Sequence, residues 1–255
     1  MKQLIQKHCI LFSGIILVLG LLGALSINGR IGRFVVAGLL IIWVKRMGIS
    51  ETHFSETGGT LRTLVSGMPL ILFSLLIMIY GVFEAGEVTW DKIPSTKEGI
   101  IFLISMLGVG LFEETLMRGT LFNIMRESWK DQQHGIMKAA IISSIMFGIP
   151  HILNLIENPQ LRCQTAAQMI YATLIGIYFC GLYVKHRNFM GLVIIHALVD
   201  AIAEGIALFS TDIERMTQMD VSCMDAVIQV VICLPFLYWG IKDLRSCSKS
   251  IRESE

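Results

Sequence analysis

The sequence predicts an all-α fold, a polytopic helical bundle of about eight transmembrane helices. Composition is the first reason. The chain has 255 residues, 54% of them hydrophobic and only 16% charged, with a mean hydropathy of +0.66. A soluble domain carries about 25% charged residues, so this one lacks the charge to coat a water-facing surface, and a disordered chain is equally disfavoured. The second reason is that apolar runs recur at close to the roughly 20 residues a membrane-spanning helix needs. The third is charge balance. The net charge is +1, from 21 basic and 20 acidic residues. No large basic field is left for nucleic acid, and the lipid bilayer is the expected surrounding.

The spans follow in order. Residues 10–27 carry no charge and predict the first helix. Lys2 and Lys7 before it, and Ala24-Leu25-Ser26 near its end, also fit a signal peptide. The run is longer than a signal core, which favours an uncleaved helix. Residues 31–44 carry only Arg33 and make a short second span. Residues 64–83 are free of charge, and 100–112 lead into a charged cluster. Residues 136–156 hold Lys138 at the edge and His151 inside, and 165–184 hold no charge. Residues 189–209 contain His196, Asp200 and Glu204, and 221–241 contain Asp225 near the start. The segment 84–98, with Pro94, reads as an ordinary connection. The pair Gly20 and Ala24 reads as a helix-packing seam.

Eight spans put 15 of the 21 Lys and Arg residues on the side of the termini, which predicts cytoplasmic termini and a multi-pass protein of the cell membrane. Of the six cysteines none forms a CxxC pair, so no zinc or redox motif appears. Cys163 and Cys223 fall on the outer side in this topology, where a disulfide is one option. Free thiols are the expectation for all six.

The remaining charges sit where charge is expensive, at about 2.5 to 3.5 kcal/mol each at a helix centre. Glu114 and Arg118 are spaced i,i+4 with the acid first, the favourable order for a helical ion pair. Glu113 points about 100° away around the helix and has no partner in its own turn. An unpaired carboxylate in such surroundings can act as a base near neutral pH. The alternative is a helix ending at Phe112, with these charges at the membrane surface. Phe147 and His151 share a face, and Pro150 loosens the helix between them. His196, Asp200 and Glu204 line one stripe, which should face the bundle interior or a water-filled cavity. If residues 98–127 form one helix, Glu113 lies near its midpoint, at a depth similar to His151, His196 and Asp200. Polar packing between helices is the competing reading for both histidines.

The pattern Glu113-Glu114-x-x-x-Arg118, then Phe147-x-x-x-His151, then His196-x-x-x-Asp200 resembles the CAAX protease and bacteriocin-processing family, also called CPBP or Abi. The family includes the eukaryotic CAAX prenyl endopeptidase, and the resemblance covers roughly residues 98 to 205. That core is flanked by N-terminal helices (1–97) and by a last helix with a cytoplasmic tail (206–255). The resemblance implies an intramembrane endopeptidase acting on a peptide or membrane-protein substrate, in peptide or bacteriocin maturation or immunity. It implies that Glu113 activates the attacking water, that His151 assists, and that His196 and Asp200 stabilise the oxyanion. Glu114, Arg118 and Phe147 become structural or positioning residues, and Glu204 a supporting neighbour.

Many members of the family have Asn where this chain has Asp200. An ionised Asp200 would repel an oxyanion, so it must be protonated, sharing a proton with Glu204, or orient His196 instead. Two Glu and two His are also enough for a zinc site, but the resemblance favours a metal-free mechanism and no cofactor is expected. A proton-coupled transporter, or a non-catalytic bacteriocin immunity protein, is the alternative function. A transporter often shows an internal repeat, which this sequence lacks.

Overall fold

A computed structural model describes residues 2–26, 29–48, 59–84, 87–216 and 219–253, and every regular element among them is helical. The chain runs α1 (Lys2–Lys7), α2 (Cys9–Ser26), α3 (Gly29–Met47), α4 (Gly59–Glu84) and α5 (Thr96–Glu114). A π-helical stretch, Thr115–Phe122, leads into α6 (Asn123–Ser128). Then come α7 (Gly135–Gly148), a 3₁₀ segment (Ile149–Leu153), α8 (Asn154–Glu157), α9 (Arg162–His186) and α10 (Phe189–Gly205). The 3₁₀ turn Ile206–Leu208, α11 (Thr211–Met216), α12 (Cys223–Ile232) and α13 (Leu234–Glu253) complete it. The fold is therefore the all-helical polytopic bundle that the composition predicts.

Seven helices among the described residues are long and apolar enough to cross a membrane. The predicted second span is the one outside this group. Its helix, α3, has 19 residues, about 28 Å of rise, but Arg30 and Arg33 begin it and Lys45 and Arg46 end it. It still runs through the bundle. Phe34 lies at Gly108, and Val36 packs in one cluster with Phe112 and Leu116. The seam read at Gly20 and Ala24 is a contact surface, with Gly20 against Leu116 and Ala24 buried.

The central helices are the run Thr96–Ser128 and α9, each with half or more of its most apolar stretch buried. The first begins with a capping box. Ser95 Oγ accepts from the Glu98 amide, and the Ser95 amide donates to Glu98 Oε2, which satisfies two otherwise orphan donors. The run is continuous, so Glu113 does lie at mid-helix and the charged cluster is not at a helix end. Within it the π segment adds a residue per turn, and Thr120 Oγ1 donates to the Thr115 carbonyl five residues back at 2.8 Å. The core is made where α6, α7, α9 and α10 meet, around Phe122, Phe179, Leu182, Phe189 and Leu192.

Two expectations change. Cys163 and Cys223 are disulfide-bonded, with Cα atoms 5.3 Å apart, and are not free thiols. The sequence separation of 60 residues gave no spacing signal. The pairing depends on how α9 and α12 start side by side. Asp220 fixes that arrangement, accepting backbone N–H bonds from Arg162, Cys163 and Gln164 at 2.9–3.0 Å. The segment 84–98 is also more than a plain connection. Thr89 donates to Asp212, Lys92 to the Phe209 carbonyl, and Thr211 to Asp91. These bonds tie it to the chain after α10. Residues 85 and 86 of that segment lie outside the described residues.

The Asp220 contact carries a pH prediction. Its hydrogen bonds, from Gln164 first and then Cys163, hold the carboxyl below the ordinary aspartate range. A depressed folded pKa means the contribution is present above the unfolded value of about 3.9 and is lost as pH falls through the lowered one. Melting of the detergent-solubilised protein should therefore fall more steeply between about pH 5 and pH 3 for wild type than for Asp220→Asn. Parallel curves would contradict this role.

Candidate active site

The site forms where α5 and α10 cross closely. A Cβ on Gly110 would sit 2.7 Å from the Val193 carbonyl and 3.0 Å from the Ala197 amide. Only glycine lets the two backbones approach this far, and the approach brings Glu113 and Glu114 beside His196. Glycine also clears the way on α9. A Cβ on Gly176 would lie 2.9 Å from Ser144 and 3.3 Å from the Arg118 guanidinium.

Glu114 is fully buried, at 0% exposure. Its Oε1 accepts from Arg118 Nη1 at 2.9 Å and from His196 Nδ1 at 2.7 Å. The i,i+4 pair read from sequence is present, and His196 is an additional partner. Arg118, 1% exposed, also donates to the Gly176 carbonyl at 3.2 Å. Its guanidinium stacks over Phe147 and Phe179, 4.7 and 5.1 Å from the ring centroids. A buried cation is thus met by a carboxylate, a carbonyl and two aromatic faces, the combination that offsets its desolvation.

Because Glu114 accepts from His196 Nδ1–H, the other ring nitrogen is the one turned to the site. His196 Nε2 lies 3.4 Å from Glu113 Oε2 and 3.5 Å from Asp200 Oδ2. The side chains of Glu113 and Asp200 are 28% and 25% exposed, against 8% for His196. The two adjacent glutamates therefore differ in environment. Glu114 is committed to a buried network, and Glu113 has an accessible carboxylate. Phe147 meets both His151 and His196 edge-on, with centroids 5.8 and 6.0 Å apart. His151 is half-buried and interacts electrostatically with His196. Pro150 opens the 3₁₀ segment that carries it, as the sequence implies. Glu204 is exposed at the edge and interacts with Asp200.

Glu113, Glu114, Arg118, Phe147, His196 and Asp200 thus converge, with His151 and Glu204 at the margin. Sequence reading missed four contributors: Gly110, the Gly176 carbonyl, Phe179 and Arg33. Phe179 lies 5.6 Å from His196, ring to ring. Arg33, half-buried on α3, interacts electrostatically with Glu113, Asp200 and Glu204. It is the lone charge in its apolar run, and that was the available signal. The glycines and the aromatic gave none, because apolar and small residues are ordinary in such helices.

The fold and this site define a polytopic membrane protein with a carboxylate–histidine centre inside its helical bundle. Residues 95–202 match the family model described as Rce1-like, type II CAAX prenyl endopeptidase Rce1-like. The matched segment is the one that carries the three motifs, and its similarity is to the CAAX protease family that they resemble. Comparison with curated proteins and with solved structures gave no match.

Proposed function

We propose that this protein is an intramembrane endopeptidase whose attacking water is activated by Glu113. The observation that carries the reading is the division of labour between the two glutamates, one locked by Arg118 and His196, the other accessible 3.4 Å from His196 Nε2. Peptide hydrolysis needs a water, a base and donors to the tetrahedral oxyanion. Glu113 takes a proton from the water as its oxygen adds to the carbonyl carbon. That proton passes, with His151 assisting, to the leaving nitrogen as the C–N bond breaks. His196 donates from Nε2 to the oxyanion, which requires its ring to carry both protons, and Glu114 is the buried countercharge for that state.

Asp200 fits either of two supporting tasks, donating to the oxyanion while sharing a proton with Glu204, or orienting His196. We expect Asp200→Asn to keep activity, because the amide still donates. Complete loss with folding intact would argue against the donor role. The reaction is proposed without a resident metal. Chelator treatment should leave activity unchanged, and a loss that zinc restores would overturn the metal-free assignment.

The substrate class is a peptide or a membrane-protein segment, with termini of the protease on the cytoplasmic side. The test compares membranes of cells carrying wild type or Glu113→Gln by mass spectrometry of protein C-termini. New C-termini confined to wild type support hydrolysis. Cellular function that survives Glu113→Ala would point to the transporter or immunity reading.

A further inference from the structure

We infer that the outward stripe of α13 docks the headgroups of anionic phospholipids in the leaflet from which that helix emerges. The surface lies apart from the carboxylate–histidine centre and stands whether or not the chain is an endopeptidase.

The apolar stretch 221–241 ends at Lys242. Residues 242–252 then hold four cations, Lys242, Arg245, Lys249 and Arg252, against one acid, Asp243. Helix α13 continues unbroken through this change, from Leu234 to Glu253. The cations recur at spacings of three, four and three residues, which a helix turns into one stripe. Leu234 and Tyr238, eight and four residues before Lys242, begin the same stripe.

Packing fixes which way the stripe faces. Phe236, Gly240 and Leu244 are buried. Phe236 meets Tyr178 of α9 and Phe73 of α4 ring to ring, with centroids 5.4 and 5.3 Å apart. A Cβ on Gly240 would sit 2.7 Å from the Ile177 carbonyl, so α13 and α9 touch backbone to backbone there. Lys242 lies two residues from both Gly240 and Leu244, about 160° around the helix from each. It therefore points away from the bundle. Lys242 and Arg245 are exposed, and Leu234 and Tyr238 are 46% and 65% exposed. The acid is turned the other way, and Asp243 accepts from Lys185 Nζ of α9 at 3.0 and 3.1 Å. Among the described residues neither Lys242 nor Arg245 pairs with a carboxylate. The helix dipole does not account for them. Both lie about two to three turns before the end of α13, and that effect fades within the last turn.

The order of residue types along the stripe selects the ligand. It runs from apolar Leu234 through amphipathic Tyr238 to charged Lys242 and Arg245, the profile of a lipid from chain to headgroup. Tyrosine sits at headgroup level with its ring in the apolar layer. Lys242 is about 6 Å further along the axis, and its long side chain can follow the bilayer surface to a phosphate. Basic clusters directly beyond a spanning helix attract anionic headgroups, each charge adding to the affinity. A soluble anion or an acidic protein would meet the same charges, but neither calls for the apolar start of the stripe. The surface also has a structural reach. Ile177, against Gly240, follows Gly176, whose carbonyl accepts from Arg118. Lipid on the outer stripe braces the helix packed behind this wall of the site.

The test reconstitutes the full chain in phosphatidylcholine vesicles containing a minor fraction of phosphatidylglycerol. The protein is then moved to detergent, and the lipids it retains are counted by native mass spectrometry. Wild type should retain phosphatidylglycerol in preference to phosphatidylcholine. The preference should fall about 10- to 30-fold in Lys242→Gln/Arg245→Gln. It should survive in Arg46→Gln/Arg187→Gln, which removes two exposed cations from α3 and from the turn after α9. An undiminished preference in the first variant would overturn the proposal. An equal loss in both would also overturn it, because a diffuse basic field would then be the binder. Wild type alone gives a further check, since the preference should weaken at high salt, and insensitivity to salt would count against the stripe. Inorganic phosphate should not raise the melting temperature as phosphatidylglycerol does, and an equal rise would reassign the stripe to a soluble anion. None of these readouts needs catalysis, so a failed protease assay leaves the lipid surface standing.

Discussion

Glu113→Gln should abolish hydrolysis and leave the protein folded. The carboxamide has the shape of the carboxylate but cannot accept a proton from water, so the general-base contribution is lost, about 10²- to 10⁴-fold in rate. That corresponds to roughly 3 to 5 kcal/mol of transition-state stabilisation. Folding should survive because Glu113 is accessible and outside the buried network; it faces His196 at 3.4 Å, beyond ordinary hydrogen-bond length. The measurement is turnover of a cleaved peptide by purified wild type and variant, alongside thermal melting of both. Turnover within tenfold of wild type would remove Glu113 from the role of base.

Arg118→Met should do the opposite and cost stability first. It leaves Glu114, at 0% exposure, without its cation and the Gly176 carbonyl without its donor. Removing one partner of a buried ion pair typically costs about 3 to 5 kcal/mol, a large share of the stability of an ordinary domain. The loss should appear as a lowered melting temperature or poor recovery of folded protein from membranes. Combining it with Glu114→Gln gives the sharper check. Residues sharing one network couple, so the double variant should lose less than the sum of the two singles. Additive losses would mean that the pair is not an energetic unit.

Much of the bundle was legible because a bilayer forces apolar runs of helical length, and α2, α4 and α9 show this plainly. The Glu114–Arg118 pair was legible for a similar reason, since i,i+4 spacing is local geometry. The site polar residues stood out because each is costly in an apolar helix. What escaped reading was set by contacts between distant segments. The second partner of Glu114 is His196, 82 residues away in sequence, and no spacing rule connects them. The Cys163–Cys223 bond likewise depends on where α9 and α12 begin relative to each other. Arg33 is visible in the sequence as the one charge of its apolar run, but its interaction with Asp200 depends on how α3 packs on α5.

The π-helical stretch Thr115–Phe122 sets a constraint on chain length. A wide turn holds one residue more than an α-turn for the same advance along the axis, so deleting one residue there converts it toward regular helix. Such a deletion rotates everything beyond it by about 100° relative to Glu113 and Glu114. Phe122 and Met125, both fully buried in the core, would then swing out of register. Related chains built on this core should accept substitutions in the stretch more readily than changes in its residue count, which makes the wide turn a ruler as much as a bend.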